Sequence, residues 1–161
     1  MILPDFADTS FFDAGMFIGA LDVTDARHSE AFPLVEDARL GHIAASTTTG
    51  ILSEVYGQLT WSKAIHPLTP QQAVFAIQAL VKSPSMIQIL PDNLAVTLKT
   101  MELASAHNLT ARRIHDARHA AAALAAGVTK VYTYDADDWK VFASEGLTII
   151  GPPSTLLRLA S

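Results

Sequence analysis

Three of the four aspartates in residues 114–139, IHDARHAAAALAAGVTKVYTYDADDW, stand where two element ends are expected. Asp116 falls near a helix start, Asp135 at a strand end, and Asp138 just beyond it. Asp8 and Glu54 have the same character earlier in the chain. Singly, each has an ordinary role as a cap, a solvated helix residue, a first-turn acid or a turn former. Together they would repel, since two carboxylates about 6 Å apart cost roughly 3 kcal/mol at an effective dielectric near 20. A cluster of Asp8, Glu54, Asp116 and Asp135 therefore calls for a counter-ion. Oxygen-only ligands suit Mg²⁺ or Mn²⁺, which can activate a bound water against a phosphodiester. The chemistry expected is metal-assisted hydrolysis.

Such a cluster needs elements that bring distant acids to one edge. Ala117, Ala120, Ala121 and Leu124 follow the i, i+3, i+4, i+7 helical spacing, and Gly127 supplies a stop. The run 131–134, VYTY, is β-branched and aromatic and predicts a buried strand ending at Asp135. Further strands are expected over residues 2–7, ending at Asp8, and over 43–46, 86–90 and 147–150. Helices are expected over 11–21, with Thr9 or Ser10 as cap, and over 29–40, with Pro33 in its first turn and Gly41 as its stop. Others should run from the Thr47, Thr48, Thr49 cluster through Trp61, then over 71–82 and 94–107. Strands alternating with helices at this spacing imply βαβ crossovers and a parallel sheet covered on both faces, an α/β fold. Asp8 and Asp135 then end strands while Glu54 and Asp116 lie early on helices, so all four can face one sheet edge.

Composition narrows the function classes. At 161 residues, half of them apolar, the chain is expected to form a single domain over 1–161. A formal charge of −5 argues against broad adhesion to nucleic acid or anionic membrane. The absence of cysteine removes disulfides and thiolate metal sites. The first basic residue is Arg27, and the apolar run 120–128 is too short to span a bilayer. A soluble, cytoplasmic protein with no membrane partner is expected.

Four segments, FADTSFF, ILSEVY with Glu54, IHDARHAAAALAAGV with Asp116, and VYTYDADDW, resemble in order and element type the acidic motifs of the PIN domain. The likeness is strongest to the VapC-type toxin ribonucleases of toxin-antitoxin pairs. It implies a PIN-like three-layer sandwich with a mostly parallel central sheet. It also implies an endoribonuclease acting on single-stranded or structured RNA, with Asp8, Glu54, Asp116 and Asp135 holding Mg²⁺ or Mn²⁺. Asp138 is a further candidate, as a ligand, a holder of ligating water or a helix cap. RNA, a protein antitoxin and a second copy in a homodimer are the partners implied. A PIN nuclease of RNA maturation and a PIN-like binding module without turnover are the alternatives.

Other constellations carry less. His115 and His119 have the spacing of a two-histidine zinc helix, but Asp116 stands where that motif needs Glu and no third ligand is evident. No glycine-rich phosphate loop occurs. Thr9, Ser10 and Thr133 are read as capping or strand residues ahead of a role in orienting carboxylates. Arg112, Arg113, Arg118 and His119 are read as a solvated helix face ahead of an RNA-phosphate contact. Trp61 and Trp139 are read as core.

Overall fold

The computed structural model describes residues 5–161. Residues 2–4 of the first expected strand lie outside that range. Ala7 and Asp8 form a turn, closed by the Thr9 N–H donating to Phe6 O at 2.9 Å. The first strand, β1, is instead Ser10–Phe12, and the first helix, α1, is Ala14–Leu21. Asp13 caps α1, accepting from the Ala14 N–H at 2.9 Å, a role expected of Thr9 or Ser10.

The helix α2 (His28–Leu40) carries Pro33 inside rather than in its first turn, and ends at Gly41 with φ 80°. After β2 (Ala45–Thr47), the Thr48 hydroxyl accepts from the Ile51 N–H and starts α3 (Thr49–Leu59). A reciprocal Thr69–Gln72 capping box with Pro70 in the first position starts α4 (Pro70–Val81). Then follow β3 (Gln88–Ile89), α5 (Leu94–Ala106) capped by Asn93, and a 3-10 turn leading into α6 (Ile114–Ala125). Gly127, at φ 79°, turns the chain into β4 (Lys130–Tyr132). The short α7 (Ala136–Trp139), a 3-10 segment, β5 (Thr148–Gly151) and α8 (Pro153–Ala160) complete the chain. The sequence pattern did not announce α8, because Gly151, Pro152 and Pro153 read as a stop; Pro153 is in fact its first-turn residue.

The five strands form one sheet in the order β3-β2-β1-β4-β5, and every pair is parallel. Successive strand residues point to opposite faces, and all of Ser10, Phe11 and Phe12, like Ala45, Ser46 and Thr47, are buried. The sheet is therefore covered on both faces, as an α/β sandwich requires. Phe11, Phe12, Phe17, Phe142 and Met16 are its largest fully buried side chains, each worth about 1.5–3 kcal/mol of burial. The alanines Ala117, Ala120, Ala121, Ala122 and Ala123 are all buried, as befits a helix covered on most of its circumference, and α6 packs extensively on α5. Trp61, expected in the core, lies past the end of α3 with 53 % of its surface exposed; Trp139 is buried. No helix among the described residues is long and apolar enough to cross a membrane.

Candidate active site

The strand order reverses at β1. The chain adds β2 and β3 on one side and then crosses to place β4 on the other. Loops leaving adjacent strands diverge at such a switch point and open a crevice beyond the strands' carboxyl ends. Asp13 leaves β1 there and Asp135 follows β4, with the Asp13 N–H donating to Tyr132 O at 3.0 Å.

Asp13 is 6 % exposed and faces three donors. Its Oδ1 accepts from the Ala14 N–H. Its Oδ2 accepts from the Thr133 hydroxyl at 2.7 Å and the Trp139 indole N–H at 2.9 Å. An acceptor-only carboxylate satisfies all three. Thr133 also accepts from the Asp135 N–H at 2.9 Å, so one hydroxyl fixes both acids at the β1–β4 crevice. Sequence reasoning passed over Asp13. The available signal was an acid between the Phe11, Phe12 pair and the Met16, Phe17, Ala20 stripe, which is a cap position opening a helix.

Asp8 is placed elsewhere. It lies two residues before β1, at the amino end of the sheet, where the Lys130 ammonium is 3.5 Å from its carbonyl oxygen. Asp8 precedes β1 and Asp13 follows it, so the strand Ser10–Phe12 lies between the two acids. The expected placement of Asp8 with Asp135 is thus corrected: β1 starts three residues after the expected strand ends, and Asp13 holds the position at its carboxyl end. Thr9 stays at the amino end as well, its hydroxyl donating to Phe6 O and lying 2.8 Å from Ser46 Oγ.

Two of the other acids, Asp116 and Asp135, are influenced by neighbouring carboxylates. Burial and then the charge of Asp138 push the Asp116 carboxyl above the usual range, with Asp13 adding to the effect and Arg113 and His119 opposing it. Asp135 is also pushed up, first by partial desolvation of its carboxyl although the residue as a whole is exposed, then by Asp13 and Asp138, with a smaller contribution from Glu54. Asp116 thus feels the charges of Asp138 and Asp13, and Asp135 those of Asp13, Asp138 and, least, Glu54. Asp137 is turned away into an exposed pair with Lys140.

Coupling is not coordination. Among the described residues, no group of three or more His, Cys, Asp or Glu side chains is arranged to hold a metal ion. Asp13 spends its oxygens on protein donors, and Glu54 Oε2 lies 3.3 Å from His119 Nε2. The donor set at the edge is nevertheless oxygen-rich and mutually repelling, which by chemistry suits a hard divalent cation.

Cations border the acids. Arg113 Nε is 3.7 Å from Asp116 Oδ2, and Arg112 and Arg113 are exposed as expected. Arg27, locked to Asp25 by two hydrogen bonds, lies over the Tyr134 ring on the Asp135 side. His119 departs from the solvated face predicted for it: it is 7 % exposed, beside the Phe11 ring, and its Nδ1 has no partner. Arg118 is half-buried and paired with Asp92. Between α3 and α6, directly beside Glu54, a cavity of about 430 Å³ is lined by Thr49, Gly50, Ser53, His115, Arg118 and His119. No local sequence pattern signals it.

A family model described as "PIN domain" matches residues 10–144, a span that begins at β1, omits Asp8 and contains Asp13. The crystal structure of VapC20 of Mycobacterium tuberculosis, described as a sarcin-ricin loop cleaving toxin, superposes with a TM-score of 0.64 at 18% identity. The match covers 89% of this chain and 100% of that one. At that identity the likeness is one of fold. No curated protein gives a significant match to this chain.

Proposed function

Because the chain belongs to the PIN-domain family, we propose that it is a Mg²⁺- or Mn²⁺-dependent endoribonuclease, the VapC-type toxin of a toxin-antitoxin pair. The single observation that carries the reading is the convergence of Asp13, Glu54, Asp116, Asp135 and Asp138 beyond the carboxyl ends of β1 and β4. The family assignment and the sandwich shared with VapC20 support it.

In this reading Asp13, Glu54, Asp116 and Asp135 hold the metal, with Asp138 beside them, and Asp8 takes no part. A bound divalent ion would polarise the phosphodiester and make a bound water acidic. The protein's own contribution is positional. Thr133 and Trp139 fix the Asp13 carboxylate before substrate arrives, and Thr133 ties Asp135 to the same point. Burial and then like charge push Asp116 and Asp135 up, and a bound divalent ion would relieve that repulsion. With a net charge of −5, the surface favours weak, local RNA binding over broad adhesion. The chain acts as one PIN-like domain over 1–161, in the cytoplasm, as a homodimer held in check by a protein antitoxin.

The test is cleavage of RNA by the purified protein with Mg²⁺ or Mn²⁺ and with chelator. Metal-dependent internal cleavage that disappears in both Asp13→Asn and Asp116→Asn is expected. Folded protein with no cleavage under any metal would replace the nuclease reading with that of a binding module. Cleavage of precursor RNAs without toxicity on expression in cells would instead favour RNA maturation.

A further inference from the structure

We infer that the cavity between α3 and α6 is a ribonucleotide subsite, which seats one nucleoside of the RNA next to the cleaved bond. It rests on the nuclease reading only for that adjacency. The volume of about 430 Å³ falls within the range of roughly 300–1,000 Å³ usual for small-molecule sites. Glu54 lines this cavity and is one of the acids proposed to hold the metal, which sets a nucleoside here beside the reacting phosphodiester.

The lining suits a nucleotide. The Arg118 guanidinium is held on one side by Asp92, and it lies over Gly50, where a side-chain carbon would already be 3.5 Å from Cζ and 3.4 Å from the His119 ring. It is thus a fixed, planar cation, the kind of group on which an unstacked base rests or to which a phosphate bonds. His115, exposed on the next turn of α6, offers a second flat ring. The Ser53 hydroxyl donates to Thr49 O at 3.2 Å, which leaves its lone pairs pointing away from that bond to accept a hydrogen bond. A ribose 2′-hydroxyl supplies such a donor and a deoxyribose does not. The cavity therefore combines a platform, a cation and a hydroxyl acceptor, enough to distinguish RNA from DNA.

The experiment titrates 5′-AMP, GMP, CMP and UMP, without metal, into the full-length protein and follows the imidazole C–H signals of His115 and His119 by NMR. At least one ribonucleotide should move both signals. Its 2′-deoxy form should bind at least about tenfold more weakly, and Arg118→Ala should weaken binding by a similar factor. Should Arg118→Ala fail to fold, Ser53→Phe, at an exposed position, fills the cavity without removing a charge and should abolish the shifts. The binding readout needs no turnover, so it separates the two readings. Shifts in a protein that cleaves nothing would support the subsite and overturn the nuclease. Metal-dependent cleavage with no shifts, and with an unchanged KM in Ser53→Phe, would overturn the subsite and leave the nuclease standing. Equal binding of ribo and deoxy forms would overturn the role given to Ser53.

Discussion

Removing the same charge from two of the clustered acids should change stability in opposite directions, because only one of them is built into a hydrogen-bond network. In Asp13→Asn the amide oxygen can still cap α1, but the amide nitrogen then faces the Thr133 hydroxyl and the Trp139 indole N–H. Thr133 can rotate to accept. Trp139 can only donate, and it is buried. An orphaned buried N–H costs about 1–3 kcal/mol, and a lost charge-assisted bond about 1.5–3 kcal/mol more. Relief of repulsion with Asp135 and Asp116 returns roughly 1–2 kcal/mol after solvent screening. The net loss is about 0.5–5 kcal/mol, centred near 3 kcal/mol, and at about 2–4 °C per kcal/mol that centre lowers the midpoint by roughly 6–12 °C. In Asp116→Asn the only partner lost is Arg113, at 3.7 Å on the surface, worth about 0–1 kcal/mol. Burial and the neighbouring Asp138 and Asp13 all disfavour its charge, so a gain of roughly 0.5–1.5 kcal/mol is expected in chelator. Thermal melts of the wild type and both variants, with chelator and with Mn²⁺, give the answer. Added metal should stabilise the wild type more than either variant. An Asp13→Asn protein that melts at or above the wild type in chelator would refute the network, and an Asp116→Asn protein that melts lower with and without metal would refute the cluster.

Further outcomes can be checked separately. Asp8→Asn should keep RNA cleavage within about twofold of wild type, while Asp13→Asn should lose on the order of 10²-fold or more in kcat; the reverse order would restore Asp8 to the site. Asp116 and Asp135 hold protons more tightly folded than unfolded, so between about pH 4 and their raised values the folded state binds more protons and their contribution to stability falls as pH rises. The partnered Asp25 and Glu30 act in the opposite sense, so the comparison to make is wild type against Asp138→Asn. That variant should flatten the fall in metal-free melts and move the acid limb of activity to lower pH; identical profiles would show that Asp138 does not face these carboxyls. At the sheet edge, a side chain at Gly151 would meet the Tyr132 ring at 2.5 Å, so Gly151→Ala should cost about 1–3 kcal/mol by denaturant titration, and a neutral result would show that Tyr132 can move aside.

The α/β class, the parallel sheet and most helices could be read from the sequence because their causes are local. The Thr48 cap, the Thr69–Gln72 box, the Gly41 and Gly127 stops, and the apolar period of α6 lie within a few residues of what they control. Asp116, Asp135 and Asp138 could be singled out for the same reason, each being an acid beside a recognisable element end, whereas Glu54 stands in the middle of α3. The first acid could not. Strand β1 is three residues long and buried on both faces, so it shows no alternation, and it runs through Asp13 into an equally apolar helix. Nothing local says whether the acid before or after it belongs to the carboxyl end. That was decided by which strands pair: β4 docks beside β1 and brings Thr133 and Trp139, 120 and 126 residues away in the chain, onto the Asp13 carboxylate. The burial of His119, the exposure of Trp61 and the cavity between α3 and α6 have the same origin. They depend on what packs across a helix from another part of the chain, and hydrophobic periodicity records only that a face is covered.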